Sequence, residues 1–231
     1  MEVKKNISNF RSRYGLSDRE PIDLPALLIK LNILTLFKPL DDSISGIVGE
    51  LNEDTRFMLI NSNHTLGRQN FTIAHELYHL FYDSSFKTIL CDRALEGTEE
   101  KKADLFAGIL LLPENGLLEL IPPYELKKNK IKTATLLKIE SSYKSSRAAL
   151  LHRLRDLELV DKEYSEVKKE HILSAALAHG FDIDIYEPGN EGKIIGDYIS
   201  LSKSLFDNEI ISESSFKHFL NDIGKGELFI E

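Results

Sequence analysis

Apolar positions follow two different periods along the first sixty residues. They recur at helical spacing over residues 6–14 and 22–31, which predicts two amphipathic helices. Residues 33–37, 45–51 and 57–60 are short apolar runs bounded by turn-forming residues, so they are predicted as strands. We expect these strands to form a small sheet. Its edge strand would be 45–51, which is able to pair with an extended peptide.

The apolar pattern is densest over residues 71–82, where nearly every side of a helix would be hydrophobic. Such a helix is expected to be buried, yet it contains His75, Glu76 and His79. Side chains of this kind are costly in a protein interior unless they are hydrogen-bonded or bound to a metal. His75 and His79 share a helix face and complete the HExxH pattern with Glu76. We therefore predict a metal centre here, in preference to buried histidines satisfied by hydrogen bonds alone.

Another helix, predicted over 99–113, offers candidates for the third protein ligand that a catalytic zinc usually has. Thr98 is its expected N-cap and Pro113 its stop. Glu100 and Asp104 lie one turn apart, so one can bind the metal while the other holds a ligand histidine. We assign the longer Glu100 side chain to the metal and Asp104 to the histidine. Four other residues remain as alternative ligands: Asp83, Asp92, Glu96 and Cys91.

Beyond this region the pattern is mainly helical. Residues 83–97 are expected to be irregular, and the small residues at 103, 107 and 108 predict a close approach of another helix. Ile-Pro-Pro at 121–123 predicts a hinge. We therefore predict three domains: 1–120 with the metal centre, 121–164 as a helix-turn-helix-like unit and 165–231 as a C-terminal helical region. Helices are predicted over 132–140, 145–157, 165–179, 195–206 and 212–220.

Composition excludes several classes of protein. The 231 residues are 42% hydrophobic and 29% charged, as in an ordinary globular protein. The chain has no apolar run of about 18 residues, so no transmembrane helix and no membrane partner are expected. A single cysteine excludes an internal disulfide. With no apolar signal segment at the start of the chain, we expect a cytoplasmic protein.

The net charge of −8 is unevenly distributed. Residues 125–155 hold nine basic residues against two acidic ones, a balance of +7, which leaves −15 for the rest. A basic segment can contact nucleic acid or an acidic partner. A solvated helix surface is the favoured interpretation, and DNA binding is less favoured because the whole chain is acidic. The first candidates for partner or phosphate contacts are Arg147, Arg153 and Arg155.

Two segments of the chain resemble the ImmA/IrrE metallopeptidases. Residues 67–80, GRQNFTIAHELYHL, look like the first signature of that family. EKKADLFA at 100–107, followed by LLLP at 110–113, looks like the second. Leu112 stands where the family usually has methionine. Tyr78 stands where a small residue is common, which would narrow the site.

The resemblance implies a zinc site with His75, His79 and Glu100 as ligands and Glu76 as general base. It implies an α+β fold: a small mixed or antiparallel sheet with zincin-like HExxH active-site helices, followed by a helical C-terminal region. Zinc is the expected ion, with manganese or another divalent ion as the alternative. A tyrosine or histidine should stabilise the oxyanion. The candidates are Tyr78, Tyr82 and His64, although His64 is expected at the surface.

Members of the family commonly cleave helix-turn-helix repressors in phage, mobile-element, stress-response or toxin–antitoxin settings. The resemblance therefore implies a zinc-dependent endopeptidase whose partner is a helix-turn-helix repressor or a similar protein. The alternative is a non-proteolytic regulator, or an antitoxin-like protein, that binds a repressor or toxin through the same fold. Inactivation of Glu76 would separate these hypotheses, because only the endopeptidase would lose its biological activity.

Overall fold

The structure is a computed structural model that describes residues 2–52, 55–83, 88–92 and 97–221. It confirms the predicted α+β class, with a mixed sheet and a largely helical second half. None of the helices within the described residues is long and apolar enough to cross a membrane.

A five-stranded sheet is formed within these residues, in the order β4-β2-β3-β1-β5. Strands β1 and β3 are parallel, and every other neighbouring pair is antiparallel. The predicted sheet is therefore confirmed, with two strands that the sequence pattern did not indicate. The strands are β1 Ile33–Lys38, β2 Ile44–Asn52, β3 Thr55–Asn61, β4 Thr88–Asp92 and β5 Ile194–Ile195.

The helices surround this sheet and one another. In chain order they are α1 Glu2–Tyr14, α2 Leu24–Lys30, α3 Leu66–Tyr82, α4 Thr98–Leu111, α5 Glu114–Leu120, α6 Thr133–Tyr143, α7 Arg147–Asp156, α8 Lys162–Lys168, α9 Ile172–Ala178, α10 Tyr198–Asp207 and α11 Glu213–Asn221.

Helix α3 is the centre of the core, because it packs on β2 with one face and on α4 with another. Eleven of its seventeen residues are buried, as the apolar pattern predicted. Leu77 on α3, Met58 on β3 and Phe106 on α4 are almost completely inaccessible to solvent and belong to one apolar cluster. This packing holds α3 and α4 in a fixed relation, and these are the helices that carry the predicted metal site.

Two buried arginines satisfy backbone carbonyls at the C-terminal end of α4. Arg11 of α1 donates from Nη2 to the oxygen of Leu110, and Arg153 of α7 donates from Nε to the oxygen of Leu112 at 3.0 Å. The last carbonyls of a helix have no partner within it, and cationic side chains there are favourable. Helices from both halves of the chain thus fix α4. The division into three domains stays a prediction.

Four sequence predictions about elements were wrong. Residues 83–97 contain β4, which pairs with β2, so the strand predicted at the sheet edge is internal. The single helix predicted over 165–179 is divided into α8 and α9 by His171, whose φ is +55°. Gly97 rather than Thr98 is the N-cap of α4. The close approach predicted from the small residues of α4 is partly observed: α4 packs against α3, and Ala103 and Ala107 are buried. At Gly108, by contrast, no atom of the described residues lies within 4 Å of the position a Cβ would occupy.

Candidate metal centre

Ligand atoms from two helices converge at one point. Nε2 of His75 lies 3.2 Å from Nε2 of His79. The Glu100 carboxylate lies 3.1 Å from the first nitrogen, through Oε2, and 3.5 Å from the second, through Oε1. Within the described residues this trio is a group whose ligand atoms all lie within 4.8 Å of one another. Two imidazole nitrogens and a carboxylate oxygen at this separation are a donor set that suits a divalent ion.

The second ring nitrogen of each histidine faces a carboxylate. Nδ1 of His75 lies 2.9 Å from Oδ1 of Asp104, and Nδ1 of His79 lies 2.9 Å from Oδ2 of Asp83. Metal-binding histidines characteristically have such partners, which fix the ring and leave Nε2 for the ion. The side chain of Asp83 is 3% exposed and that of Asp104 is 55% exposed. The residues present therefore fit a metal, and this includes the carboxylates of Asp104 and Asp83 that contact the ligand histidines.

Glu76 is completely buried beside the two histidines, on the face of α3 that packs against β2. The strand approaches this face closely at Gly46. A Cβ at that position would lie 3.1 Å from Oε1 of Glu76 and 3.0 Å from Cγ2 of Thr72. A larger residue at 46 would displace the carboxylate, so glycine there preserves the position of Glu76. Sequence patterns alone did not indicate Gly46 as a site residue.

The tyrosines predicted as oxyanion candidates have other partners. The Tyr78 hydroxyl donates to Oε2 of Glu99 at 2.7 Å, and the Tyr82 hydroxyl donates to the backbone oxygen of Asn6 at 3.1 Å. Burial, then the hydrogen bond to Glu99, raises the pKa of Tyr78. Burial also raises the pKa of Tyr82. Both hydroxyls would have to leave these partners to reach a developing oxyanion.

His64 is buried, which corrects its expected place at the surface. Its Nε2 lies 3.4 Å from the backbone oxygen of Asp42, and it is outside the ligand trio. Among the alternative ligands, Asp83 lies at the site as the partner of His79. Glu96, and the side chains of Asp92 and Cys91, lie outside the described residues.

Two of the three predicted contact arginines are buried, which contradicts their proposed exposure to a partner or to nucleic acid. Arg147 is 3% exposed and forms an ion pair with Glu140, and Arg153 is 5% exposed. Burial lowers the pKa of Arg153, and burial raises the pKa of Glu140 against the opposite effect of Arg147. Arg155 is half-buried. The positive formal charge of this segment is therefore partly internal.

Comparison with known proteins identifies the family. A family model described as Peptidase_M78, IrrE N-terminal-like domain, matches residues 29–155, which is more than half of the chain. The protein is also 40% identical over 67 residues to the metallopeptidase ImmA of Bacillus subtilis (strain 168). That match covers 28% of this chain and 40% of the relative's length. The family match includes β1, β2, β3 and both helices of the candidate metal centre. The chain belongs to the Peptidase_M78 family of IrrE N-terminal-like domains.

Proposed function

We propose that this protein is a zinc-dependent endopeptidase that cleaves a protein partner. The convergence of His75, His79 and Glu100, with a carboxylate behind each histidine, carries the proposal. If the cluster had only a structural role, hydrogen bonds among its buried polar groups would be sufficient, and its ligand atoms would not have to converge. Three ligand atoms that all point at one position, beside a buried glutamate, are the arrangement that hydrolytic metal sites use.

Each residue has a separate role in this proposal. His75, His79 and Glu100 would hold the ion, and Asp104 and Asp83 orient the two rings. When bound, the ion supplies Lewis acidity, which makes water more acidic and a peptide carbonyl more electrophilic. Glu76 is the general base: its carboxylate accepts a proton from the attacking water and passes it to the leaving amine. Its side chain is completely buried and so does not contact bulk solvent.

The proposed substrate is a helix-turn-helix transcriptional repressor or a similar regulatory protein, whose cleavage relieves repression. Support comes from the family resemblance and from the likeness to a relative named metallopeptidase ImmA. The setting would be a phage, a mobile element, a stress response or a toxin–antitoxin pair.

The test combines metal content with cleavage. The purified protein is incubated with the helix-turn-helix protein encoded beside its gene, with and without chelator, and the products are resolved by mass. We expect a chelator-sensitive cut that is lost in Glu76→Gln, which should retain its zinc because Glu76 is not a ligand. Glu100→Ala should lose the metal, and Asp104→Ala should lower zinc affinity by about 10–100-fold.

Glu99→Ala is the matched control, because Glu99 precedes Glu100 on α4 but accepts hydrogen bonds from Tyr78 and Lys102 instead. It should keep both metal and cleavage. Turnover by Glu76→Gln would refute the role of that residue. If the partner formed a complex with the zinc-loaded protein and stayed intact, the endopeptidase hypothesis would be refuted in favour of a non-proteolytic regulator.

A further inference from the structure

A recess of about 560 Å³ opens beside the candidate metal centre, between α3, α4, α7 and α9. This volume is within the range of small-ligand sites in proteins. Its walls are mainly apolar, and the aliphatic and aromatic part includes Phe71, Ala149, Ile172 and Leu173, with Gly108 on α4. None of the sequence motifs indicated this recess.

Gly108 keeps the recess open. No atom of the described residues lies within 4 Å of the position that a Cβ at this residue would occupy, whereas at Gly46 three atoms lie within 3.2 Å of it. Glycine is unfavourable in a helix interior relative to alanine. Packing does not require glycine at 108, since no neighbour in the described part of the chain is close to it. The side chain that is missing there leaves space that a ligand can use.

The recess and the metal centre share residues. Asp104, one turn before Gly108 on α4, borders the recess and lies 2.9 Å from Nδ1 of His75. Phe71, one turn before His75 on α3, lines the recess and has its ring centroid 6.5 Å from that of His75. A peptide with its scissile bond at the metal would therefore pass the opening of the recess.

Three of the charged and polar side chains in the wall, Arg147, Tyr186 and Arg68, are engaged with other groups. Arg147 donates from Nη2 to Glu140 at 3.0 Å and from Nη1 to the backbone oxygen of Lys168 at 2.8 Å. The hydroxyl of Tyr186 also donates to Glu140. Arg68 donates from Nη2 to the Ser45 hydroxyl at 2.8 Å. An apolar occupant leaves all of these contacts in place.

Apolar surface continues outward from the recess along α9. Leu173 is 46% exposed and Leu177, one turn further, is 63% exposed. Exposed leucines at i and i+4 form an apolar stripe along a helix. The stripe begins at the recess and thus extends the same surface away from the metal.

We propose that this recess is the specificity pocket of the site, and that it binds a large aliphatic or aromatic side chain close to the scissile bond of the protein substrate. The stripe of Leu173 and Leu177 receives the next apolar residue of the same segment. This inference rests on the proposed endopeptidase function. The substrate segment is accordingly amphipathic, with its apolar face on α9.

A size series at position 108 tests the pocket. Gly108→Ala, Gly108→Leu and Gly108→Phe fill it by increasing amounts, and all three residues are better helix formers than glycine. Each full-length variant, loaded with zinc, is given a mixture of proteome-derived peptides, and the cut sites are read by mass spectrometry. The native protein should prefer Leu, Ile, Met or Phe at one position beside the cut. Gly108→Leu should reduce that preference by about tenfold or more and favour small residues.

Binding without hydrolysis separates the pocket from the enzymatic activity. In the Glu76→Gln background, a short peptide with two leucines should bind more tightly than its serine analogue, and Gly108→Leu should remove the difference. Ala134→Leu, which adds a leucine at an exposed position on α6, is the control and should not alter binding. Zinc content and melting temperature are measured for every variant.

Each outcome has a distinct meaning. A leucine preference in binding that depends on residue 108, without cleavage of any peptide, would support the pocket and overturn the endopeptidase. Cleavage with a profile that does not change from glycine to leucine, in folded and zinc-loaded variants, would retain the endopeptidase and overturn the pocket. Absence of both cleavage and binding would overturn both proposals.

Discussion

At the scale of single residues, the two acids behind the histidines differ in burial. Asp83 and Asp104 lie at the same distance from a histidine nitrogen, but only Asp83 is shielded from solvent. A hydrogen bond to a charged group is stronger where water does not compete for the same atoms. Asp83 should therefore contribute more to metal binding than Asp104, although only Asp104 is part of the family signature.

We predict that Asp83→Ala lowers zinc affinity by about 10–100-fold, and by more than Asp104→Ala does. Competition with a fluorescent zinc chelator measures both affinities. Asp156→Ala is the control, since Asp156 makes the same i,i+4 contact with His152 at 3.4 Å on α7. Its zinc affinity should equal that of the native protein. A larger loss for Asp104→Ala than for Asp83→Ala would show that exposure does not determine these contributions.

The sequence predicted the residues of this site that lie close together along the chain. The spacing of His75 and His79 on one helix brings both rings to one side. Asp83 has the same four-residue spacing from His79, but its side chain turns inward just after the helix ends, and no local pattern indicates that turn. Gly46 comes from a distant strand. Its role depends on how closely β2 approaches α3, which is a property of tertiary packing.

At the scale of elements, the sequence predicted helices more reliably than the face each helix buries. α6 and α7 were predicted close to their observed bounds, with Lys144 in the left-handed region at φ +51° between them. Their charges suggested a solvated basic surface. Arg147 and Glu140, seven residues apart, instead form a bidentate pair with side chains 2% and 0% exposed. Charge counts along a sequence do not reveal that two opposite charges neutralise each other inside.

We predict that Arg147→Ala lowers the free energy of unfolding by about 3–5 kcal/mol, because it leaves the Glu140 carboxylate buried without its cationic partner. Arg155→Ala should change it by no more than about 0.5 kcal/mol. Urea denaturation of both variants gives the comparison. The double substitution Arg147→Met and Glu140→Leu should recover part of the loss, since it removes both charges but also removes the partners of the Tyr186 hydroxyl and the Lys168 backbone oxygen.

A loss of the same size in the double variant would indicate that the shape of the pair, rather than an uncompensated charge, is what the fold requires.

The burial of these arginines also affects the design of any test of DNA binding. Neutralising Arg147 and Arg153 would damage the fold, so only exposed cations such as Lys138 can test contacts with phosphate.

At the scale of the whole molecule, the hydroxyls of buried and half-buried tyrosines join segments that are far apart in the chain. The hydroxyl of Tyr143 donates to the backbone oxygen of Arg19, and that of Tyr164 donates to the backbone oxygen of Ile131. Tyr186, beyond α9, donates to Glu140 of α6. Such contacts depend on the assembled fold, so no pattern along the chain indicates them. They bring the N-terminal segment, α6, α8 and the region after α9 together.

These hydroxyls make stability sensitive to alkaline pH. Burial raises the pKa of Tyr143, of Tyr186 and of Tyr164, the last from 10.0 to about 12. In the unfolded chain tyrosine loses its proton near pH 10. Above that pH the folded protein binds more protons than the unfolded chain, so the free energy of unfolding falls as pH rises. Below pH 10 both states keep these protons, and the contribution is fully present.

We predict that the free energy of unfolding of the native protein decreases between about pH 10 and 12, and that Tyr164→Phe makes the decrease less steep by removing one titrating group. Urea denaturation at a series of alkaline pH values measures this slope. Ultraviolet absorbance of tyrosinate in the folded protein should show a group of tyrosines that ionise late. If Tyr164→Phe retained the full slope, tyrosine ionisation at that site would not be linked to folding. Equal slopes with a lower stability throughout would show that the hydroxyl acts only as a neutral hydrogen-bond donor to Ile131.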